Sequence, residues 1–144
     1  MKSKIYFGLI AIIASIVFTS FNSTEEWQLH KHFKGLSFYY KTADCDDKAN
    51  GLFQDFIILK IVNNSNVDLE VKFKKSVWYG GECTNCDSDS EEHYVTIKIK
   101  AGEEIIGNCK SGDLSIFKEF KDKPDVAKLS NFEISDISVK QKIN

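Results

Sequence analysis

Residues 67–75, VDLEVKFKK, decide the fold: Val67, Leu69, Val71 and Phe73 alternate with Asp68, Glu70, Lys72 and Lys74. A period of two sustained over eight residues is a strand with one dry and one wet face, whereas a helix would scatter those charges around its circumference. The alternation returns in residues 93–100, where Val95, Ile97 and Ile99 interleave with Thr96, Lys98 and Lys100. Residues 53–62, FQDFIILKIV, are bounded by Asn50-Gly51 and by the tetrapeptide Asn63-Asn64-Ser65-Asn66. Length and β-branched content predict a strand buried on both faces, and the tetrapeptide predicts a hairpin turn into residues 67–75.

Weaker strands extend outward from this centre. Leu36, Phe38 and Tyr40 share one side of residues 36–41, and Val77 to Tyr79 reads as a short strand ended by Gly80-Gly81. Residues 103–109 pair with 93–100 through an Ala101-Gly102 turn. A phase slip at Ser135-Asp136, between Phe132 with Ile134 and Ile137 with Val139, reads as a bulge. Residues 114–120 read as a further strand after Ser111-Gly112-Asp113, and are the segment expected to be helical if any is; 25–34 read as a ragged leader. In a chain of 144 residues, 42% hydrophobic and with one proline, about seven or eight such strands predict one all-β domain, an antiparallel immunoglobulin-like sandwich. The likeness to immunoglobulin domains is architectural only, because Cys45 lies in a polar loop and Gly107 stands where the corner tyrosine would.

Upstream, Lys2 and Lys4 flank the start of an uncharged run of 14 residues, Ile5 to Phe18. A basic stretch before an apolar one of that length is a secretory signal peptide, since a spanning helix needs about 20 apolar residues. Cleavage is expected between Thr19 and Thr24, dividing the chain into a signal peptide over 1–23 and a domain over 24–144 with no stable membrane span. The destination is the periplasm, the cell surface or the medium. Losing Lys2 and Lys4 turns 19 basic against 21 acidic residues into 17 against 21, a net charge of −4. Every basic residue is lysine; without guanidinium groups, bidentate phosphate recognition and base stacking lack their usual agent, so nucleic acid is not an expected partner. Lys72, Lys74, Lys75, Lys98 and Lys100 are expected on wet strand faces.

Cys45, Cys83, Cys86 and Cys109 all follow the export signal, and an even count bound for an oxidising compartment predicts two disulfides. Bridges from Cys45 and Cys109 to the Cys83–Cys86 unit would constrain more of the unfolded chain than a Cys83–Cys86 loop, so the crossing arrangement is the expected one. It would bring Asp44 and Asp46, beside Cys45, to Asp87, Asp89 and Glu91, beside Cys86. Carboxylates so crowded need a screening cation, which makes Ca²⁺ a candidate ligand of that end. Two other chemistries remain: zinc on the thiols with His93 as a spare ligand, and thiol–disulfide exchange at Cys83-Thr84-Asn85-Cys86, whose acidic neighbours disfavour a thiolate.

His30, His32 and His93 suggest no triad, and no phosphate loop, dinucleotide fingerprint or zinc-protease motif is present, so enzymatic activity is not expected. Trp78, Tyr79 and Tyr94 flank the cysteines and are candidates for an exposed recognition patch. The succession from export signal through VWYGGECTNC (77–86), GNC (107–109) and LSIF (114–117) resembles small exported proteins of Bacteroidetes-type bacteria. That resemblance implies export and a β-sandwich and brings no activity with it. The resulting expectation is an exported, non-enzymatic binding or structural module without a cofactor, its partner a protein or glycan of the envelope. A Ca²⁺- or Zn²⁺-binding protein is the first alternative and a periplasmic thiol–disulfide enzyme the second.

Overall fold

The alternating segment is the first part of strand β4 (Leu69–Tyr79), and the rest of the domain is arranged around it and around β3 (Gln54–Asn63). The computed structural model describes residues 26–142; the signal peptide expected over 1–23 lies outside them. The remaining strands are β1 (Gln28–Phe33), β2 (Leu36–Asp44), β5 (Glu82–Cys83), β6 (Tyr94–Ile99), β7 (Glu104–Ile106), β8 (Ser115–Phe120) and β9 (Leu129–Gln141). In the first sheet β1, β2 and β3 lie in order, and β7 and β8 share the far edge of β3. In the second, β4 pairs with β9 on one edge and with both β5 and β6 on the other. Every pairing is antiparallel.

The two sheets pack face to face through the residues that alternation turns inward. Phe38, Leu59 and Ile61 of the first sheet meet Val71, Phe73 and Ile134 of the second, all essentially sealed from solvent. The rings of Phe38 and Phe73 stand edge to face at 5.6 Å, joining the layers. Burying each such side chain is worth about 1.5–3 kcal/mol, so this layer is the main source of stability.

Two expected hairpins are crossovers instead. Asn63-Asn64-Ser65-Asn66 carries the chain from β3 in the first sheet to β4 in the second, and Ala101-Gly102 carries it from β6 back to β7, which pairs with β3. One fully buried side chain ties both crossings together. Asn63 Nδ2 donates to the carbonyls of Val67 (2.8 Å) and Lys100 (2.9 Å), and Oδ1 accepts from the backbone N–H and hydroxyl of Ser65 (3.0 and 2.6 Å). Its own N–H donates to Glu103 O at 2.9 Å. The same turn-forming residues serve a hairpin or a crossover, and the distant partner Lys100 selects the crossover.

Other expectations also give way. Residues 28–33 are a paired strand and not a leader, and Val77 to Tyr79 are the end of β4, whereas the strand read over 114–120 is present as β8. The slip at Ser135-Asp136 is a bulge opposite Phe73, with Asp136 at φ +48°. Lys74 and Lys75 do not lie on wet faces. Lys74 is 3% exposed and donates to Cys86 O at 3.0 Å; Lys75 donates to the carbonyls of Gly112 (2.6 Å) and Ser115 (3.3 Å) across the sheets. Burial lowers the pKa of Lys75.

Where β1 meets β9, side chains close the seam between the sheets. His30 stacks on Phe132 with centroids 4.8 Å apart, and its Nε2 accepts from the Ile134 N–H at 3.4 Å. Lys31 donates to Ile134 O at 2.7 Å and to the Glu133 carboxylate. Burial holds the His30 pKa below 6.5, against the pull of Glu133. A neutral folded imidazole contributes fully above the unfolded value, and stability is lost as the pH falls through 6.5 towards the folded value. The melting temperature is therefore expected to drop from about pH 7.5 to about pH 5.5, and to drop less in His30→Phe, by scanning calorimetry. An unchanged slope in the variant would assign the loss elsewhere.

Candidate recognition surface

The four cysteines pair as Cys45–Cys109 and Cys83–Cys86, which overturns the crossing arrangement. Cys45 follows β2 and donates its N–H to Gln54 O at 2.9 Å, so that bridge ties the end of β2 to the β7–β8 connection within the first sheet. The connection turns away from β3 at Gly107, where a Cβ would overlap the Leu114 carbonyl. Cys83–Cys86 closes a loop on the edge of β4 and presents Asn85 to it. The Asn85 Oδ1 accepts from the Val77 N–H (3.0 Å) and its Nδ2 donates to Lys75 O (2.7 Å), so this amide occupies the stretch of β4 between β5 and β6. The CxxC unit therefore completes a sheet edge through an asparagine that sequence reading passed over.

With the sulfurs so paired, the acidic clusters do not meet. Asp44 and Asp46 gather on Lys121 Nζ at 2.9 and 2.7 Å, with Asp55 at 3.9 Å, beside a cleft of about 550 Å³ that Cys45 and Cys109 also line. The hydrogen bond from Lys121 holds the Asp44 carboxyl below its usual range, and the Asp46 and Asp44 carboxylates raise the pKa of Lys121. A lysine of the chain itself supplies the screening charge there. Asp87, Asp89 and Glu91 lie in the β5–β6 connection, where Glu91 pairs with Lys72 of the second sheet at 2.7 Å. Among the described residues, no three His, Cys, Asp or Glu side chains are grouped to hold a metal ion.

Trp78, Tyr79 and Tyr94 do not form one patch. Alternation along β4 sets Tyr79 on the inward side, its hydroxyl donating to Phe117 O at 2.7 Å, and Trp78 on the outward side. Tyr94 pairs across from Lys74, carries the Lys72 ammonium 4.6 Å from its ring centre, and donates to Asp136 Oδ2 at 3.4 Å.

A different face carries aromatic and cationic groups together. Leu29, Tyr39, Lys60 and Ile106 are successive cross-strand partners on β1, β2, β3 and β7, which places them in one row on the outer side of the first sheet. Lys60 Nζ lies 4.9 Å from the Tyr39 ring centre and 4.7 Å from that of Trp27, and Lys41 Nζ lies 5.0 Å from Trp27. Each such contact is worth about 0.5–1 kcal/mol at an exposed site, enough to hold the long side chains in place. At the row's ends Leu29 is 49% and Ile106 48% exposed, among the most exposed large apolar side chains of the described residues. The outer side of the second sheet carries Glu70, Lys72, Thr96, Lys98, Ser138 and Lys140, with Tyr94 beneath Lys72 and Trp78 further along β4. Tyr39 and Lys41 were legible as the wet side of β2, but Trp27 and Ile106 come from segments without a clear period.

The architecture thus defines a class, a two-sheet antiparallel β domain with two disulfides. No known protein family and no curated protein matches the chain. The crystal structure of a DUF1425 family member from Shewanella sp. pv-4 is similar over 85% of this chain and 94% of that one, with 10% identity and a TM-score of 0.42.

Proposed function

We propose that the chain is an exported, non-enzymatic binding module that engages a component of the cell envelope through the outer side of its first sheet. The observation that carries this reading is the grouping on one outer face of Trp27, Tyr39, Lys41 and Lys60 between half-exposed Leu29 and Ile106; on the other, Tyr94 is engaged by Lys72 and Asp136, and Trp78 stands apart at the far end of β4. Aromatic side chains with apolar neighbours are the groups from which binding surfaces draw most of their energy, and a soluble monomer has no structural need to expose them side by side. Two disulfides with no free cysteine among the described residues support an oxidising destination.

Site-specific photocrosslinking in the producing cell tests the assignment. A photoreactive side chain at Ile106 is expected to give adducts with an envelope component, and the same group at Thr96 on the second sheet is expected to give few. Equal yields from the two positions, or none from Ile106, would contradict the reading.

A further inference from the structure

We propose that Cys83–Cys86 is an exchangeable disulfide that oxidises a dithiol, a pair of reduced cysteines on another exported polypeptide, with Lys74 stabilising Cys86 as the leaving sulfur. The site lies on the edge of β4, apart from the recognition face. Alternation sets Lys74 on the outer side of the second sheet, because Phe73 points inward, yet it is 3% exposed. The β5–β6 connection covers it, and its Nζ donates to Cys86 O at 3.0 Å. Among the described residues no carboxylate is in ion-pair contact with Lys74. A sealed ammonium answered by a carbonyl lacks a counter-charge, and a thiolate on the residue it already holds supplies one. The Cys45–Cys109 bridge has no counterpart, since Lys121 beside it is held by Asp44 and Asp46 at 2.9 and 2.7 Å.

The acidic neighbours act more weakly than their number implies. Glu82, Asp87 and Asp89 are exposed, so water and salt screen them; Glu91 is held by Lys72 at 2.7 Å, and Glu92 lies 3.7 Å from His93 Nε2. Tyr94 and Asp136, which β6 and β9 turn to this side, bond to each other at 3.4 Å. Both cysteines are partly exposed, open to an attacking thiolate. Contacts besides the bridge keep the unit by β4: the Thr84 N–H donates to Val77 O at 3.0 Å, and the Asn85 amide bonds Val77 and Lys75. Cys86 therefore stays near Lys74 when the S–S bond is open.

Exchange begins when a thiolate of the dithiol attacks Cys83 Sγ; the S–S bond breaks and its electron pair leaves on Cys86 Sγ, near the Lys74 ammonium. A leaving thiol of lower pKa departs faster, which directs the attack to Cys83. The partner's second thiolate then displaces Cys83 from the mixed disulfide. The partner is oxidised to a disulfide and the chain is reduced by two electrons, one exchange per chain. Of the two protons released, one goes to Cys83 and the other to solvent while Cys86 remains a thiolate.

The test treats the exported protein with dithiothreitol under native conditions, blocks free thiols with iodoacetamide and maps the tryptic peptides. Residues 76–98 are expected to carry two labels while residues 42–48 and 101–110 are still linked. In the protein so reduced, labelling of Cys86 is expected to follow a pH midpoint about one unit or more below the ordinary value of about 8.5, and labelling of Cys83 is not. Lys74→Met is expected to raise the Cys86 midpoint by about one unit or more and to slow reduction of the bridge. Lys74→Arg keeps the charge and is expected to keep the low midpoint, which separates the charge from its packing. A Cys86 midpoint at or above about 8.5 in the unsubstituted protein would overturn the inference whatever the variants do. So would reduction of both bridges together, or a midpoint that Lys74→Met leaves unmoved.

Discussion

Replacing Asn63 with alanine is expected to remove about 3–5 kcal/mol of unfolding free energy, a large part of the roughly 5–15 kcal/mol a domain of this size holds. The side chain is sealed from solvent and makes four hydrogen bonds, two to the carbonyls of Val67 and Lys100 and two from Ser65. Alanine removes four hydrogen bonds worth about 0.5–1.5 kcal/mol each and leaves the two carbonyls one longer donor apiece, the Ser65 hydroxyl on Val67 O (3.2 Å) and the Glu103 N–H on Lys100 O (3.1 Å). The loss is also topological, because the same amide holds the β3–β4 crossing against the β6–β7 crossing and so fixes which sheet each strand joins. Asn64 is exposed and makes one side-chain hydrogen bond, from its Nδ2 to the Ser37 hydroxyl at 2.6 Å. Asn64→Ala should cost only about 1 kcal/mol. Urea unfolding of the two variants reads the contrast directly, and equal midpoints would show that Asn63 does not clamp the two crossings.

Removing the Cys45–Cys109 bridge is the second large effect. It joins residues 64 positions apart, and loop-closure entropy alone puts its contribution at about 4 kcal/mol. The Cys83–Cys86 bridge spans three positions and is worth about 2 kcal/mol on the same reasoning. The Cys45→Ala, Cys109→Ser variant is therefore expected to unfold at markedly lower urea than the Cys83→Ser, Cys86→Ser variant. Its damage should concentrate at the β7–β8 connection and the end of β2, read by amide exchange. The Cys83–Cys86 variant should instead loosen the Asn85 pairing with β4 at the Val77 amide. Reversal of the order would mean that Asn85 and its loop, more than the long bridge, hold the domain together.

Strand identity was largely legible and strand partnership was not. Val71 and Phe73 are buried as their alternation requires, and the bulge at Asp136 was visible as a slip of phase. Sheet membership was hidden because it depends on Asn63 reaching Lys100 O, a contact across 37 positions that leaves no periodic trace. Lys74 and Lys75 misled for a related reason. Charge usually marks a wet position, yet both ammonium groups satisfy carbonyls of the two disulfide-bearing loops, and nothing local announces those acceptors. The cysteine pairing misled because a longer constrained loop argues for a larger stabilisation only if the folded chain can bring the sulfurs together, and the two loops belong to different sheets. The recognition face was half legible: its members on β2 follow from alternation, whereas Lys60 and Ile106 join them through register and Trp27 through its contacts with Lys41 and Lys60.

The arrangement of two separately stapled sheets is tested most directly by tryptic mapping of the unreduced protein, which has lysines on both sides of every cysteine segment. The expected products are residues 42–48 linked to residues 101–110, and residues 76–98 closed on themselves by Cys83 and Cys86. A product joining residues 42–48 to residues 76–98 would contradict the account, because it would draw the ends of the two sheets together and reunite the acidic clusters that the structure keeps apart.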